Sequence, residues 1–268
     1  MPRRVVVTGV TGRMGGAVVR ALRSDIRFQL AGGTARPGSG LAGQDAGAVA
    51  GLGPLGAPVF EDAERASAEA RPEVVIDFSH PESTGEWAEV CARTKTPLVV
   101  GTTGLPGAVR EQLDRAARSA PVVLSPNMSV GVNVLLDVAA HLVRVLGESW
   151  DVEVLELHHR LKRDAPSGTA LRLAEVLARA AGRDASTFRL ARAGEVGPRP
   201  SGEIGIQTLR GGDVVGEHTV LFLADGERIE VTHRAGSREQ FARGALRAAA
   251  WVGVQEPGLY TMQDVLGL

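Results

Sequence analysis

Apolar positions along the chain follow two rhythms. Val5, Val6 and Val7 form a short, wholly apolar run that ends at Gly9, the pattern of a strand buried on both faces. Met14, Ala17, Val18, Ala21 and Leu22 then recur at i, i+3, i+4, i+7 and i+8, which predicts an amphipathic helix. Phe28–Ala31 is a second strand. After a stretch at 38–56 that is rich in Gly and Ala and has no period, the alternation resumes. Strands are expected at 74–78, 97–100 and 122–124, and helices at 81–94 and 106–118, each of the two helices with a proline near its start. Repeated strand–helix units imply a parallel sheet with right-handed crossovers.

The rhythm changes after Asn127. A long apolar helix is expected at 132–146. Val152, Val154, Leu155 and Leu157 read as a strand, and Leu173, Ala174, Leu177 and Ala181 fall at helical spacing. From residue 204 onward come short strands at 204–209, 214–223 and 228–233, with Asp225-Gly226 between the last two as a hairpin signal. Adjacent strands without helices between them mean an antiparallel or mixed sheet. The Pro-containing segment 194–202 is expected to be a mobile loop, and a final helix at 239–251 is expected to return to the first domain.

The first strand and helix are joined by Gly9-Val10-Thr11-Gly12-Arg13-Met14-Gly15. Strand, glycine turn and helix at the start of a chain are the setting of a dinucleotide-binding fingerprint. Gly9 permits the tight turn, Gly12 lets a pyrophosphate approach the helix amides, and Gly15 lets helix and strand pack closely. The spacing is G-x-x-G-x-x-G, with Thr11 at the middle glycine of the stricter form. About 20 residues on, an NAD site places an acid on the ribose diol. Gly32 to Pro37 contains no acid and does contain Arg36, which suits a 2′-phosphate. NADPH is therefore favoured over NADH. Gly101-Thr102-Thr103 and Ser125-Pro126-Asn127-Met128 end two further strands, on the edge where such sheets bind ligands, and suit the nicotinamide half. The 38–56 stretch is expected to be a mobile loop near the cofactor. The fold class is α/β: an N-terminal Rossmann-like parallel-sheet domain over 1–127, completed by 236–268, and a second α+β domain with an open mixed sheet over 128–235.

The densest chemistry lies in the second domain, at Glu156-Leu157-His158-His159-Arg160-Leu161-Lys162-Arg163-Asp164-Ala165-Pro166-Ser167-Gly168-Thr169-Ala170, a strand-to-helix loop. Histidine trades protons near neutral pH and lysine supplies positive charge or a proton. Pro166 cannot sit deep in a helix and Ser167 is a good N-cap. The amides of Gly168 and Thr169 then make an anion site, and Gly168 allows close approach. Proton donors beside an anion cradle describe a pocket for a small acid. Either His158 or Lys162 could deliver the proton.

Composition narrows the classes. A chain of 268 residues holds one large domain or two ordinary ones, and 44% hydrophobic with 23% charged residues is ordinary for a globular protein. A net charge of −1 gives no field that draws the chain to nucleic acid or an anionic membrane, so neither is an expected partner. The single cysteine, Cys91, is expected to pack in a helix. No disulfide can form within the chain, which fits a reducing, cytoplasmic setting. The N-terminal apolar run is too short for a signal segment, and no run approaches a membrane span. No His/Cys/Asp/Glu spacing suggests a metal site. His218 and His233 fall in strands and are expected to pack or face solvent.

Three stretches taken together, Gly-Val-Thr-Gly-Arg-Met-Gly (9–15), Val-Gly-Thr-Thr-Gly (100–104) and the 156–170 block, resemble the dihydrodipicolinate reductase family, as do Asp77 to Glu82 and Ser129 to Asn133. The resemblance implies reduction of a cyclic, unsaturated dicarboxylate by NADH or NADPH, giving tetrahydrodipicolinate and water in lysine and diaminopimelate biosynthesis. It implies His158 as proton donor and acceptor, Lys162 as a second proton donor, and His159, Gly168 and Thr169 as substrate-binding residues. Gly9, Val10, Thr11, Gly12, Arg13 and Met14 match the pyrophosphate loop, and Gly101 to Thr103 and Ser125 to Met128 the loops around the nicotinamide. A cytoplasmic homotetramer joined through second-domain sheets is also implied. Many family members carry an acid before the arginine where this chain has Ala35-Arg36, which strengthens the NADPH expectation. Two other readings fit the residues: a dehydrogenase of another amino-acid semialdehyde, and a non-catalytic dinucleotide sensor, which has no use for the 162–169 block.

Overall fold

Seven strands form the first sheet: β1 (Arg3–Val7), β2 (Phe28–Thr34), β3 (Val59–Phe60), β4 (Val74–Asp77), β5 (Leu98–Val100), β6 (Pro121–Leu124) and, from the end of the chain, β12 (Gly258–Tyr260). Their order is β12-β6-β5-β4-β1-β2-β3 and every pairing is parallel. The strand order reverses between β1 and β4, the switch point at which such sheets bind ligands. Side chains alternate across the sheet. Val5, Val7, Val74 and Ile76 pack under α1 (Arg13–Leu22) and α8 (Glu239–Val252), and Val6, Val75, Leu98 and Val100 pack under α3 (Ala63–Ala70), α4 (Pro81–Thr94) and α5 (Gly107–Ala116). Burial on both faces is why these strands read as unbroken apolar runs. The computed structural model describes residues 1–268. Met1–Val130 and Arg238–Leu268 form one compact unit, and Gly131–Ser237 the other.

The second unit holds a five-stranded mixed sheet in the order β11-β10-β7-β9-β8. Its strands are β7 (Asp151–His158), β8 (Phe188–Arg189), β9 (Ile204–Arg210), β10 (Gly216–Ala224) and β11 (Glu227–Ala235). β7 pairs antiparallel with β10 and parallel with β9. Val152, Val154, Ile204, Ile206, Val220 and Phe222 face α6 (Val130–Leu146) and α7 (Gly168–Ala180). On the other face Leu155, Leu157, Leu221 and Leu223 are only half-buried and Leu209 is exposed. No helix of the chain is long and apolar enough to cross a membrane.

Four segments differ from the sequence reading. β2 continues to Thr34, because Gly32 and Gly33 serve close packing: a Cβ on Gly33 would stand 2.5 Å from Val10 and one on Gly32 2.9 Å from the Phe60 ring. The 38–56 stretch is organised by Asp45, which caps the short helix α2 (Ala46–Val49) and accepts the N–H groups of Leu55, Gly56 and Ala57. Segment 194–202 is tied to its own sheet, as Arg199 donates to Glu153 at 3.1 Å and to the carbonyl of Val152. The first strand of the second unit runs one residue further than its apolar pattern, so His158 ends β7 and does not lie in the loop. A last helix, α9 (Met262–Leu266), closes the chain behind a Thr261–Asp264 capping box.

Candidate active site

The cofactor-type segments end adjacent parallel strands. Gly9 to Met14 follow β1, Arg36 follows β2, Gly101 to Thr103 follow β5 and Ser125 to Met128 follow β6, so all lie on one edge. Gly9 has φ +61°, and a Cβ there would fall 2.5 Å from the carbonyl of Phe78. A Cβ on Gly15 would fall 2.2 Å from the carbonyl of Gly9. Gly12 caps α1 without any side-chain hydrogen bond, and no acid stands in the helix's first turn. The helix start therefore keeps bare amides and a positive dipole end, which is what a pyrophosphate needs. Thr11 and Arg13 are exposed and Met14 is half-buried, whereas the side chains of Val10 and Met128 lie in the core, so those two offer only backbone to a ligand. Arg36 is exposed, and the preceding side chain, Ala35, is buried. Thr103 and Pro126 are exposed, and Ser125 donates to the carbonyl of Asn127 at 2.9 Å.

Sequence reasoning assigned no role to Asp77, at the end of β4. Its buried carboxylate accepts hydrogen bonds from the hydroxyls of Thr8, Ser79, Thr84 (2.6 Å) and Thr102 (2.7 Å). One carboxylate thus ties the ends of β1, β4 and β5 together at the switch point. The Phe78 ring lies against Gly101, where a Cβ would approach to 2.1 Å. The available signal was a lone acid closing an apolar strand, with threonines at the ends of two others.

In the second unit His158, Lys162 and the start of α7 share one short stretch of chain. β7 alternates, and Val152, Val154, Glu156 and His158 all face the helices. The inner face is therefore apolar for half the strand and polar at its end. Glu156 is fully buried. Its Oε2 meets Nδ1 of His158 and accepts from Arg210 at 2.9 Å, and its Oε1 accepts from Arg210 (2.9 Å), from the hydroxyl of Thr208 (3.1 Å) and from the backbone N–H of Ser167 (3.0 Å). Burial pushes the carboxyl up, but the hydrogen bonds from His158, Arg210 and Ser167 outweigh it and hold the group down at about 2. Nε2 of His158 lies over Gly216, where a Cβ would stand 2.9 Å away.

Ser167 caps α7, its hydroxyl accepting the N–H of Ala170 at 3.2 Å. The same hydroxyl lies 3.2 Å from Nε2 of His218, whose ring stands edge-on to His158 at 5.2 Å between centroids. Burial, reinforced by the nearby His158, pushes His218 down to about 3, so this ring is neutral at neutral pH. Gly168 is exposed and Thr169 half-buried at the helix start. Lys162 holds both carboxylate oxygens of Asp164 at 2.8 Å. His159 is half-buried, with Nδ1 unpaired. Glu156, Thr208, Arg210 and His218 were not assigned from sequence. Alternation along β7 could have flagged Glu156; the others come from β9 and β10 and depend on strand register.

A doubly covered parallel sheet with a glycine cradle at its switch point, in a chain that also carries an imidazole, an ammonium and a serine-capped helix start, fits a dinucleotide-dependent oxidoreductase that acts on a small molecule. The sequence profile described as Dihydrodipicolinate reductase, N-terminus, matches residues 3–128, and that described as Dihydrodipicolinate reductase, C-terminus, matches 131–266. The chain belongs to the dihydrodipicolinate reductase family and is an NAD(P)H-dependent oxidoreductase. It is 56% identical over 264 residues to the 4-hydroxy-tetrahydrodipicolinate reductase of Myxococcus xanthus, covering 98% of this chain and 97% of that one. It is 54% identical to the protein of the same name from Anaeromyxobacter dehalogenans, covering 99% and 98%. A solved structure described as dipicolinate-bound dihydrodipicolinate reductase from Paenisporosarcina sp. TG-14 shares the fold, with TM-score 0.78, 22% identity and coverage of 98% and 99%.

Proposed function

We propose that the chain reduces 4-hydroxy-tetrahydrodipicolinate to tetrahydrodipicolinate and water, in lysine and diaminopimelate biosynthesis. The observation that carries this reading is the 156–170 stretch, which sets a carboxylate-paired imidazole, a lysine and a capped helix start within fifteen residues. The first unit holds the dinucleotide and the second holds the substrate. NAD(P)H, when bound, supplies the hydride. The substrate's carboxylates take the amides of Gly168 and Thr169, the ammonium of Lys162 and the ring of His159. Loss of the 4-hydroxyl with a ring proton, as water, leaves a conjugated imine, and the negative charge that develops in it as hydride adds is quenched by a proton from His158 or Lys162. Glu156 takes Nδ1 of His158, which leaves Nε2, over the bare backbone of Gly216, as the exchanging nitrogen.

NADPH is the preferred cofactor. The support is Arg36, an exposed guanidinium with no carboxylate partner, following an alanine where the ribose-binding acid would stand. The working form is a cytoplasmic homotetramer. The half-covered leucine face of the second sheet supports assembly through that sheet, and Cys91, free and buried, suits a reducing compartment. Genetic complementation tests the reading. Expression in a bacterium lacking its own reductase is expected to restore growth without added diaminopimelate, and the double variant His158→Gln, Lys162→Ala is expected not to. Growth that still requires diaminopimelate, with the protein expressed and folded, contradicts the proposal.

A further inference from the structure

The second unit contains a fully buried carboxylate of which the proposed chemistry uses only the oxygen that meets His158. Glu156 receives donors from three directions: His158 on its own strand, Thr208 and Arg210 on β9, and the backbone of Ser167 at the start of α7. A buried, unpaired carboxylate is costly, and this one is fully paired. Its two oxygens serve different parts of the site. Oε2 faces the imidazole and Oε1 faces the N-cap residue of the helix whose first amides form the anion cradle. Arg210 bridges both oxygens and also donates to the carbonyl of Asp164 at 2.6 Å, so the loop carrying Lys162 hangs on the same group.

We infer that Glu156 is a positioning residue shared by the proton donor and the carboxylate cradle, one oxygen fixing the tautomer of His158 and the other fixing the start of α7. A carboxylate that accepts from Nδ1–H keeps the proton on that nitrogen and leaves Nε2 for exchange. The same carboxylate sets the position of Ser167 and, through it, the amides that follow. Donor and cradle are thereby held in fixed register, which a reaction that binds a dicarboxylate and protonates its ring requires. The charged and titratable groups around the imidazole and its carboxylate from other elements are His218 on β10, edge-on to the ring, Arg210 on β9, bonded to the carboxylate, and Lys162 in the loop, near His218. His218 is neutral, and the two cations do not accept protons from Nδ1. Glu156 is the acceptor that sets the tautomer.

The test is Glu156→Gln in the full-length protein. A carboxamide keeps the shape but has one acceptor oxygen, so it can serve one arm only and turns N–H donors toward the other. If its oxygen stays with Ser167, the amide donates to Nδ1 and the proton of His158 moves to Nε2. Turnover is then expected to fall about 10²–10⁴-fold. If its oxygen stays with His158, the cradle loses its support and the affinity for dipicolinate, used as a planar dicarboxylate probe, is expected to fall about tenfold. In either case the dissociation constant for NADPH should remain within about twofold, since the cradle for the dinucleotide lies in the other unit. Ring-nitrogen NMR of His158 reads the tautomer directly. The wild-type protein is expected to carry its proton on Nδ1, and Glu156→Asp, which restores two acceptors, should recover part of the loss.

A variant that folds with tautomer, turnover and dipicolinate affinity all unchanged overturns the inference. So does one that loses NADPH and dipicolinate binding together with its melting temperature, since that is a general loss of structure. Should Glu156→Gln fail to fold, the wild-type spectrum still decides: a proton found on Nε2, with Nδ1 bare, overturns it. The inference rests on the reductase reading for the meaning of turnover. Tautomer and dipicolinate affinity need no turnover, so a wild-type protein that fails to turn over counts against the reductase reading, and those two measurements still judge Glu156.

Discussion

Glu156 accepts the backbone N–H of Ser167 at 3.0 Å across eleven residues of chain. The stretch between them, which carries both histidines and Lys162, is therefore a closed loop pinned at its two ends. Its ends are set by a strand end and a helix start, and between them the loop is braced by the Arg210 bond to the Asp164 carbonyl and the Lys162–Asp164 pair. This is how a polar, largely exposed segment can hold a proton donor at a fixed distance from a helix N-terminus.

His158 is expected to dominate turnover. His158→Gln should lower kcat by about 10²–10⁴-fold and leave NADPH affinity unchanged. Steady-state kinetics with a separate NADPH titration checks this, and near-normal kcat would remove His158 from the proton transfer.

Lys162 has a different signature. It pairs with Asp164 in this structure and can exchange that carboxylate for one from the substrate. Lys162→Ala should raise KM by about tenfold or more, as the loss of a charged hydrogen bond does, and lower kcat as well. An unchanged KM would argue against anchoring.

Cofactor choice is expected to follow Arg36. Arg36→Ala should lower kcat/KM for NADPH by about 10–100-fold, the range for losing hydrogen bonds to a charged phosphate, and change NADH little. Equal losses with both cofactors would place the arginine away from the 2′-phosphate.

Acid should destabilise the fold in two steps. Burial, with help from His158, holds His218 at about 3. The unfolded chain takes up that proton from about pH 6.5 downward, so stability is lost as pH falls from there toward 3. Glu156 is held at about 2. Its contribution is complete above an ordinary glutamate value of about 4.3 and is lost as pH falls toward 2, amounting to about 3 kcal/mol. Chemical denaturation at a series of pH values checks both. His218→Leu should flatten the curve between about pH 6.5 and 4.5, and Glu156→Gln should flatten it below about 4.5.

Much of the fold was legible because its runs are long and strictly periodic. The valines of β1 and the spacing of α1 need no tertiary information. Gly32 and Gly33 misled because glycine usually marks a turn. Here they extend β2, with Val10, Phe60 and Ala70 occupying the space of the missing side chains. The 156–170 motif was legible as a motif because it is one unbroken stretch of chain, and Ser167 was readable as a helix cap. The motif's supports were not. Arg210 and Thr208 reach Glu156 only through the register of β9 on β7, and His218 only through that of β10. Asp77 is the same case in the first unit, where two of its hydroxyl donors, Thr8 and Thr102, follow strands β1 and β5, far apart in sequence. Single-residue chemistry can be read from a sequence, but pairing register is a property of the assembled sheet.

The central claim is hydride transfer to a cyclic dicarboxylate. It is tested most directly by following cofactor absorbance while the substrate is made in place from pyruvate and aspartate semialdehyde by the preceding synthase. The account predicts rapid oxidation that depends on the synthase and is faster with NADPH than with NADH at equal low concentrations. No oxidation with either cofactor, by protein that still binds a dinucleotide, would contradict it and favour a semialdehyde dehydrogenase or a dinucleotide sensor.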